Sequence, residues 1–177
     1  MSPRPLALLG LRASGKSTLG RLLAARIGRP FVDLDEELVR FAARAGHSAT
    51  SAGELLGRLG VAPFRDLEAT TLRRLVEPAA VIVLATGGGV VERADNRALL
   101  RRAARCVFLS VPLERLSERL RADPTSRPAL RGVDPIDELA AVARARLPLY
   151  LELAEFVLEA GERAPAELAQ ELADRLG

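Results

Sequence analysis

Five short apolar runs, "PLALLG", "PFVDLD", "AVIVLA", "RCVFLS" and the weaker "EFVLEA", recur along the 177-residue chain with helix-length segments between them. None shows the alternation of a strand with one wet face, so they suit strands covered on both sides. The intervening segments carry the helical period. In "STLGRLLAARIG", Leu19, Leu22, Leu23 and Ile27 fall on one face and Gly28 supplies a stop. "LEATTLRRLV" from Leu67 reads the same way, and "PAELAQELADRLG" opens on Pro165 and spaces Leu168, Leu172 and Leu176 evenly on one face. Buried strands alternating with helices predict an α/β fold: a three-layer sandwich around a five-stranded parallel sheet, with ligands outside the carboxyl ends of the strands. Those ends read "GLRASGK", "DLDEE", "TGGG" and "SVPLER".

The first of these ends fits G-x-x-x-x-G-K-[ST] from Gly10 to Ser17, between a strand and an amphipathic helix. Loop N–H groups and the helix N-terminus form an anion cradle there. Lys16 can reach the β and γ phosphates of a nucleotide, and the Ser17 hydroxyl can ligate Mg²⁺. Lys16 is also the only lysine among 26 Lys and Arg residues. At the second end, "FVDLDEE" spaces Asp33 and Asp35 so that strand alternation sends both carboxylates to one face. One can organise magnesium waters while the other orients or deprotonates an attacking hydroxyl. The alternative is a solvated strand end leading into an acid-rich helix start, which the helix dipole favours. At the third end, the glycines of "ATGGGVV" let a small ligand approach the backbone closely, at an entropic cost that a passive turn does not need.

Three arginines stand in informative contexts. Arg65 and Glu68 in "FRDLE" lie one helical turn apart, a spacing that lets the carboxylate aim the guanidinium. Arg127 falls in the irregular stretch "ADPTSRPALRGVD", suited to a mobile lid, and Arg146 precedes Pro148 in "RLPLY". A pI near 9.9 looks basic, but 23 carboxylates are interspersed among the arginines and aromatics make up 3%, so the stacking platforms of a nucleic-acid binder are missing. Cys106 is the one cysteine, which rules out a disulfide framework and a cysteine metal cluster. No apolar run is long enough for a signal or membrane segment. A single cytoplasmic domain over 1–177, with neither nucleic acid nor membrane as partner, is therefore expected.

Taken in order, "GLRASGKST", "DLD", "FRDLE", "TGGGVV", "RPAL" and "RLPLYLELA" resemble the shikimate kinase family of P-loop kinases over nearly the whole chain. The resemblance implies transfer of the γ-phosphoryl of ATP, with Mg²⁺, to the 3-hydroxyl of shikimate, by a monomer with a lid at about 119–133. By that likeness Ala13, Ser14, Gly15, Lys16, Ser17 and Thr18 hold the nucleotide. Arg127 is the lid arginine on the phosphates, and Arg119 and Arg163 flank the adenine. Lys16, Asp35 and Arg127 carry the chemistry. Asp35, Arg65, Arg146, Gly87, Gly88 and Gly89 bind shikimate, with the two arginines on its carboxylate, and Ser17 with Asp33, through water, holds Mg²⁺.

Several positions depart from the family pattern. The stretch from Gly46 to Phe64 is a few residues longer than usual, Val61 replaces a common acidic residue, and Ala129 replaces a usual leucine in the lid. Ala85 precedes "TGGG" where a Walker B aspartate would stand. His47, the only histidine, falls in the longer stretch and is expected to be solvated. Two rivals remain: another small-metabolite kinase such as a gluconate kinase-like enzyme, and a non-enzymatic effector-binding domain. A start so close to the loop argues against a regulator, and the residues Lys16, Asp35 and Arg127 argue for turnover.

Overall fold

All five apolar runs form strands in the computed structural model, which describes residues 4–76, 81–122 and 135–176. They are β1 (Leu6–Leu9), β2 (Phe31–Asp33), β3 (Val83–Ala85), β4 (Arg105–Ser110) and β5 (Phe156–Glu159). All pair in parallel, in the order β2-β3-β1-β4-β5. The chain builds β2 and β3 to one side of β1 and β4 and β5 to the other. The crevice for a ligand therefore opens where the chain leaves β1.

The helices are α1 (Lys16–Ile27), α2 (Leu34–Arg44), α3 (Ala52–Leu59), α4 (Val61–Val76), α5 (Ala94–Ala103), α6 (Leu113–Ala122), α7 (Pro135–Leu153) and α8 (Pro165–Leu176), with a 3-10 turn at Val90–Glu92. Strand alternation sorts the core into two layers. Leu6, Leu8, Val83, Val107 and Leu158 meet Leu19 and Leu23 of α1 and Leu168 and Leu172 of α8. Ala7, Leu9, Leu84, Cys106 and Phe108 meet Leu72 of α4, Leu99 and Leu100 of α5, and Tyr150 of α7. A smaller cluster of Leu38, Ala42, Leu55 and Phe64 joins α2, α3 and α4. No helix among the described residues is long and apolar enough to cross a membrane.

Three expectations change. Leu22 is 42% exposed, because the buried stripe of α1 runs through Leu19, Gly20, Leu23 and Ala24. Gly20 sets that stripe: a Cβ there would lie 2.5 Å from the Phe31 ring, so its absence lets the helix settle on the sheet. Helix α4 begins at Val61 rather than Leu67. Strand β2 stops at Asp33, whose side chain accepts from the Asp35 N–H and caps α2. Asp35 thus belongs to a helix, and strand alternation does not apply to it. Arg119 to Ala122 of the expected lid are helical, and Arg127 and Ala129 lie outside the described residues. Gly28 ends α1 in the left-handed conformation, as its position implies, and His47 is exposed.

Candidate active site

The loop after β1 is shaped by positive φ angles at Gly10 (153°), Ala13 (62°) and Gly15 (93°). Ala13 is the one non-glycine with positive φ among the described residues. Such alternation turns successive N–H groups toward one concavity, and the N-terminus of α1 faces the same place. Lys16 opens that helix and folds its side chain back, with Nζ donating to Gly10 O (3.0 Å), Leu11 O (2.8 Å) and Ser14 Oγ (3.3 Å). Burial lowers its pKa to about 8, although Asp35 and Asp33 pull the other way.

Two carboxylates stand beside this cradle. Ser17 Oγ donates to Asp33 Oδ2 at 2.6 Å, and Asp33 Oδ1 accepts the Asp35 N–H at 3.0 Å. Asp35 stands in the wall of the cleft, reachable by water yet largely enclosed by protein. That enclosure pushes its pKa up, Asp33 adds to the rise, and Lys16, Arg65 and Arg12 oppose it. The hydroxyl and carboxylate of Ser17 and Asp33 are hard oxygen donors at the edge of an anion cradle. They fit Mg²⁺, which takes one or two protein oxygens and completes its shell with phosphate and water. No group of three or more His, Cys, Asp or Glu that could hold a metal occurs among the described residues.

Across the cleft, the glycine run meets the expected partners one by one. A Cβ on Gly87 would lie 2.8 Å from Asp35 Oδ1, one on Gly88 would lie 3.6 Å from Arg146 Nη1, and one on Gly89 would lie 1.9 Å from Arg65 Nη2. Arg65 Nη1 donates to both oxygens of Glu68, at 3.0 and 2.9 Å, which bears out the pairing read from their spacing. Glu68 is buried, and burial raises its pKa against the pull of Arg65. Both arginines also bind Glu92, which nothing in the sequence had marked. Tyr150, buried and stacked on Phe108 at 5.1 Å, donates its hydroxyl to Gly88 O and so ties α7 to the glycine run.

The loop, Asp33, Asp35, Arg65, Glu68, Arg146 and the glycine run line one cleft of about 1570 Å³. Besides the loop, Asp35 and the arginines, its lining includes Arg119 and Arg163. Arg119 bridges Ala13 O and Gly161 O, both at 3.1 Å, and Arg163 pairs with Glu171 at 2.6 Å. Of the expected site residues, only Arg127 lies outside the described residues.

The family model for shikimate kinase matches residues 12–177. A shikimate kinase of Nitratidesulfovibrio vulgaris is 48% identical over 153 residues, covering 85% of this chain and 83% of that protein. One of Neisseria meningitidis is 42% identical over 154 residues, with 87% and 86% covered. Among solved structures, shikimate kinase from Acinetobacter baumannii in complex with shikimate superposes with a TM-score of 0.85 at 32% identity, covering 98% of this chain and 92% of that one. A sugar kinase from Janibacter, at 16% identity and a TM-score of 0.58, shares the fold alone.

Proposed function

The chain belongs to the shikimate kinase family, whose members are ATP- and Mg²⁺-dependent kinases, and we propose that its residues divide the transfer of the γ-phosphoryl of ATP to the 3-hydroxyl of shikimate. The observation that carries this reading is the convergence of Arg65 and Arg146 beside a glycine run that also abuts Asp35. Two guanidinium forks suit one carboxylate, and a carboxylate beside them suits a hydroxyl on the same small ring.

In this division the loop N–H groups, with Ala13 to Thr18, cradle the phosphates. Lys16 leaves its backbone acceptors for the phosphate oxygens and stabilises charge as it develops. Asp35 accepts the proton of the 3-hydroxyl as the oxygen bonds to phosphorus and the bond from phosphorus to the β,γ-bridging oxygen breaks, releasing ADP. Its enclosure, which raises its pKa, makes it a better acceptor for that proton. When bound, Mg²⁺ neutralises phosphate charge, with Ser17 and Asp33 as its protein-side oxygens. Arg119 and Arg163 flank the adenine, and Arg127 meets the phosphates. In this proposal the enzyme works as a cytoplasmic monomer, as the family resemblance implies.

The test is ADP release measured with shikimate, quinate and gluconate separately. Turnover that depends on shikimate is expected. Turnover with gluconate alone would move the chain to the other small-metabolite kinases. Shikimate binding with no turnover on any acceptor would make it an effector-binding domain.

A further inference from the structure

The geometry points to Glu92 as a positioning residue that aims the two acceptor-binding arginines from outside the cleft, an inference that rests on the reading of Arg65 and Arg146 as the carboxylate clamp. Glu92 Oε2 lies 2.7 Å from Arg65 Nη2. Its Oε1 accepts from Arg146 Nε at 2.8 Å and from Arg146 Nη2 at 2.6 Å. Arg65 comes from α4 and Arg146 from α7, so one carboxylate on the 3-10 turn joins guanidinium groups of two separate helices. Without it, two like charges converging on one point would splay apart.

The side of attachment decides between aiming and blocking. Arg65 and Arg146 line the cleft and Glu92 does not. The Glu92 side chain is 40% exposed, whereas those of Arg65 and Arg146 are 16% and 18% exposed. The carboxylate therefore grips the arginines from the solvent side. Glu92 takes Nε and Nη2 of Arg146 and leaves Nη1, which lies 3.6 Å from the position of a Gly88 Cβ on the glycine run that lines the cleft. Holding two long side chains before the acceptor arrives removes rotamer freedom that binding would otherwise have to remove. Glu92 also cancels part of the positive charge that attracts an acid. The directional gain outweighs this because the remaining N–H groups bind a carboxylate only when aimed at it.

The experiment measures kcat and both KM values for Glu92→Ala and Glu92→Gln, with thermal unfolding as the folding control. Glu92→Ala is expected to raise the shikimate KM about tenfold, a loss of about 1.4 kcal/mol in acceptor binding. The kcat should stay within about twofold and the ATP KM should not change. Glu92→Gln should fall between, since its amide oxygen still accepts from Arg146 but carries no charge for Arg65. In an Arg146→Ala background, Glu92→Ala should cost less than in the wild type, since only Arg65 is then left for it to aim. An unchanged shikimate KM in Glu92→Ala would overturn the inference. So would a lowered one, which would make Glu92 a competitor of the acceptor's carboxylate. Absence of shikimate-dependent turnover in the wild type would instead overturn the kinase reading itself.

Discussion

Gly89→Ala perturbs the proposed acceptor clamp with a single methyl group. The added Cβ would lie 1.9 Å from Arg65 Nη2, 2.4 Å from Cζ and 2.5 Å from Nη1. Ordinary contacts begin near 3.5 Å, so the guanidinium must retreat by about 1.5 Å. Hydrogen bonds span about 2.7–3.2 Å, and a shift of that size breaks those that Arg65 makes or offers. Gly89 has φ −93°, which alanine adopts without strain, and the atoms struck are the far end of a flexible side chain. The fold should therefore survive while the clamp fails. Losing a charged hydrogen bond costs about 1.5–3 kcal/mol, which predicts a shikimate KM raised roughly 10- to 150-fold with the ATP KM unchanged. Gly88→Ala is the internal control: its nearest neighbours would lie at 3.4–3.6 Å, close to ordinary contact, so its effect should be several-fold smaller. ADP release over a range of shikimate concentrations, with matched thermal melts, reads both variants. A Gly89→Ala KM within twofold of wild type, with folding intact, would refute the placement of Arg65 on the acceptor.

Other perturbations separate the two halves of the site. Asp35→Asn should lower kcat by roughly 10² to 10⁴, the span for a positioned base, while ATP affinity measured by calorimetry stays near wild type. Lys16→Arg conserves charge but should cost at least about 10²-fold in turnover, comparable to one preorganised electrostatic contact, with the melting temperature as control. ATP affinity should weaken as pH rises through about 8, where Lys16 loses its proton, approaching about tenfold per pH unit above that point. Isothermal titration in buffers of different ionisation enthalpy should show proton uptake on binding across the same range. The sign for stability is opposite: the folded pKa of about 8 lies below the ordinary lysine value of 10.5, so the unfolded chain binds more protons between them. Lys16 therefore adds stability to the nucleotide-free protein as pH rises through that window, and loses this contribution as pH falls toward 8.

The central strands β1, β3 and β4 were readable because a strand buried on both faces must be apolar, whereas the edge strands β2 and β5 are only partly covered and end in Asp33 and Glu159, which is why the fifth run was the weaker signal. The pairing of Arg65 with Glu68 was readable because it is local, set by one helical turn. Asp35 was singled out, but through strand alternation, whereas its position follows from the Asp33 side chain capping α2 after a three-residue strand. The local competition between a strand end and a helix cap decides such a boundary. Leu22 failed for a tertiary reason, since the stripe that α1 buries is fixed by how closely Gly20 lets it approach Phe31. Glu92 had no local signal at all. Its partner Arg146 is 54 residues away, and a glutamate after a glycine run looks the same whether it faces water or two guanidinium groups. Tyr150 stood inside a motif, yet its bond to Gly88 O spans 62 residues and depends on how α7 crosses the sheet.

Lys16 joins the two kinds of information. As the one lysine among 26 Lys and Arg residues, it marks this position as different from the other basic ones, without showing why. The physical reason lies in the three acceptors, Gly10 O, Leu11 O and Ser14 Oγ, that surround a single nitrogen at 2.8–3.3 Å. An ammonium has three donors around one point and can turn from those acceptors to phosphate oxygens without moving its stem far. A guanidinium spreads five donors over a rigid plane, and it cannot direct three of them into one small pocket of backbone oxygens. Burial lowers the lysine pKa, so a phosphate that restores its charge gains a partner freed from an unfavourable setting. Arginine stays charged in that setting and would impose its desolvation cost on the empty loop.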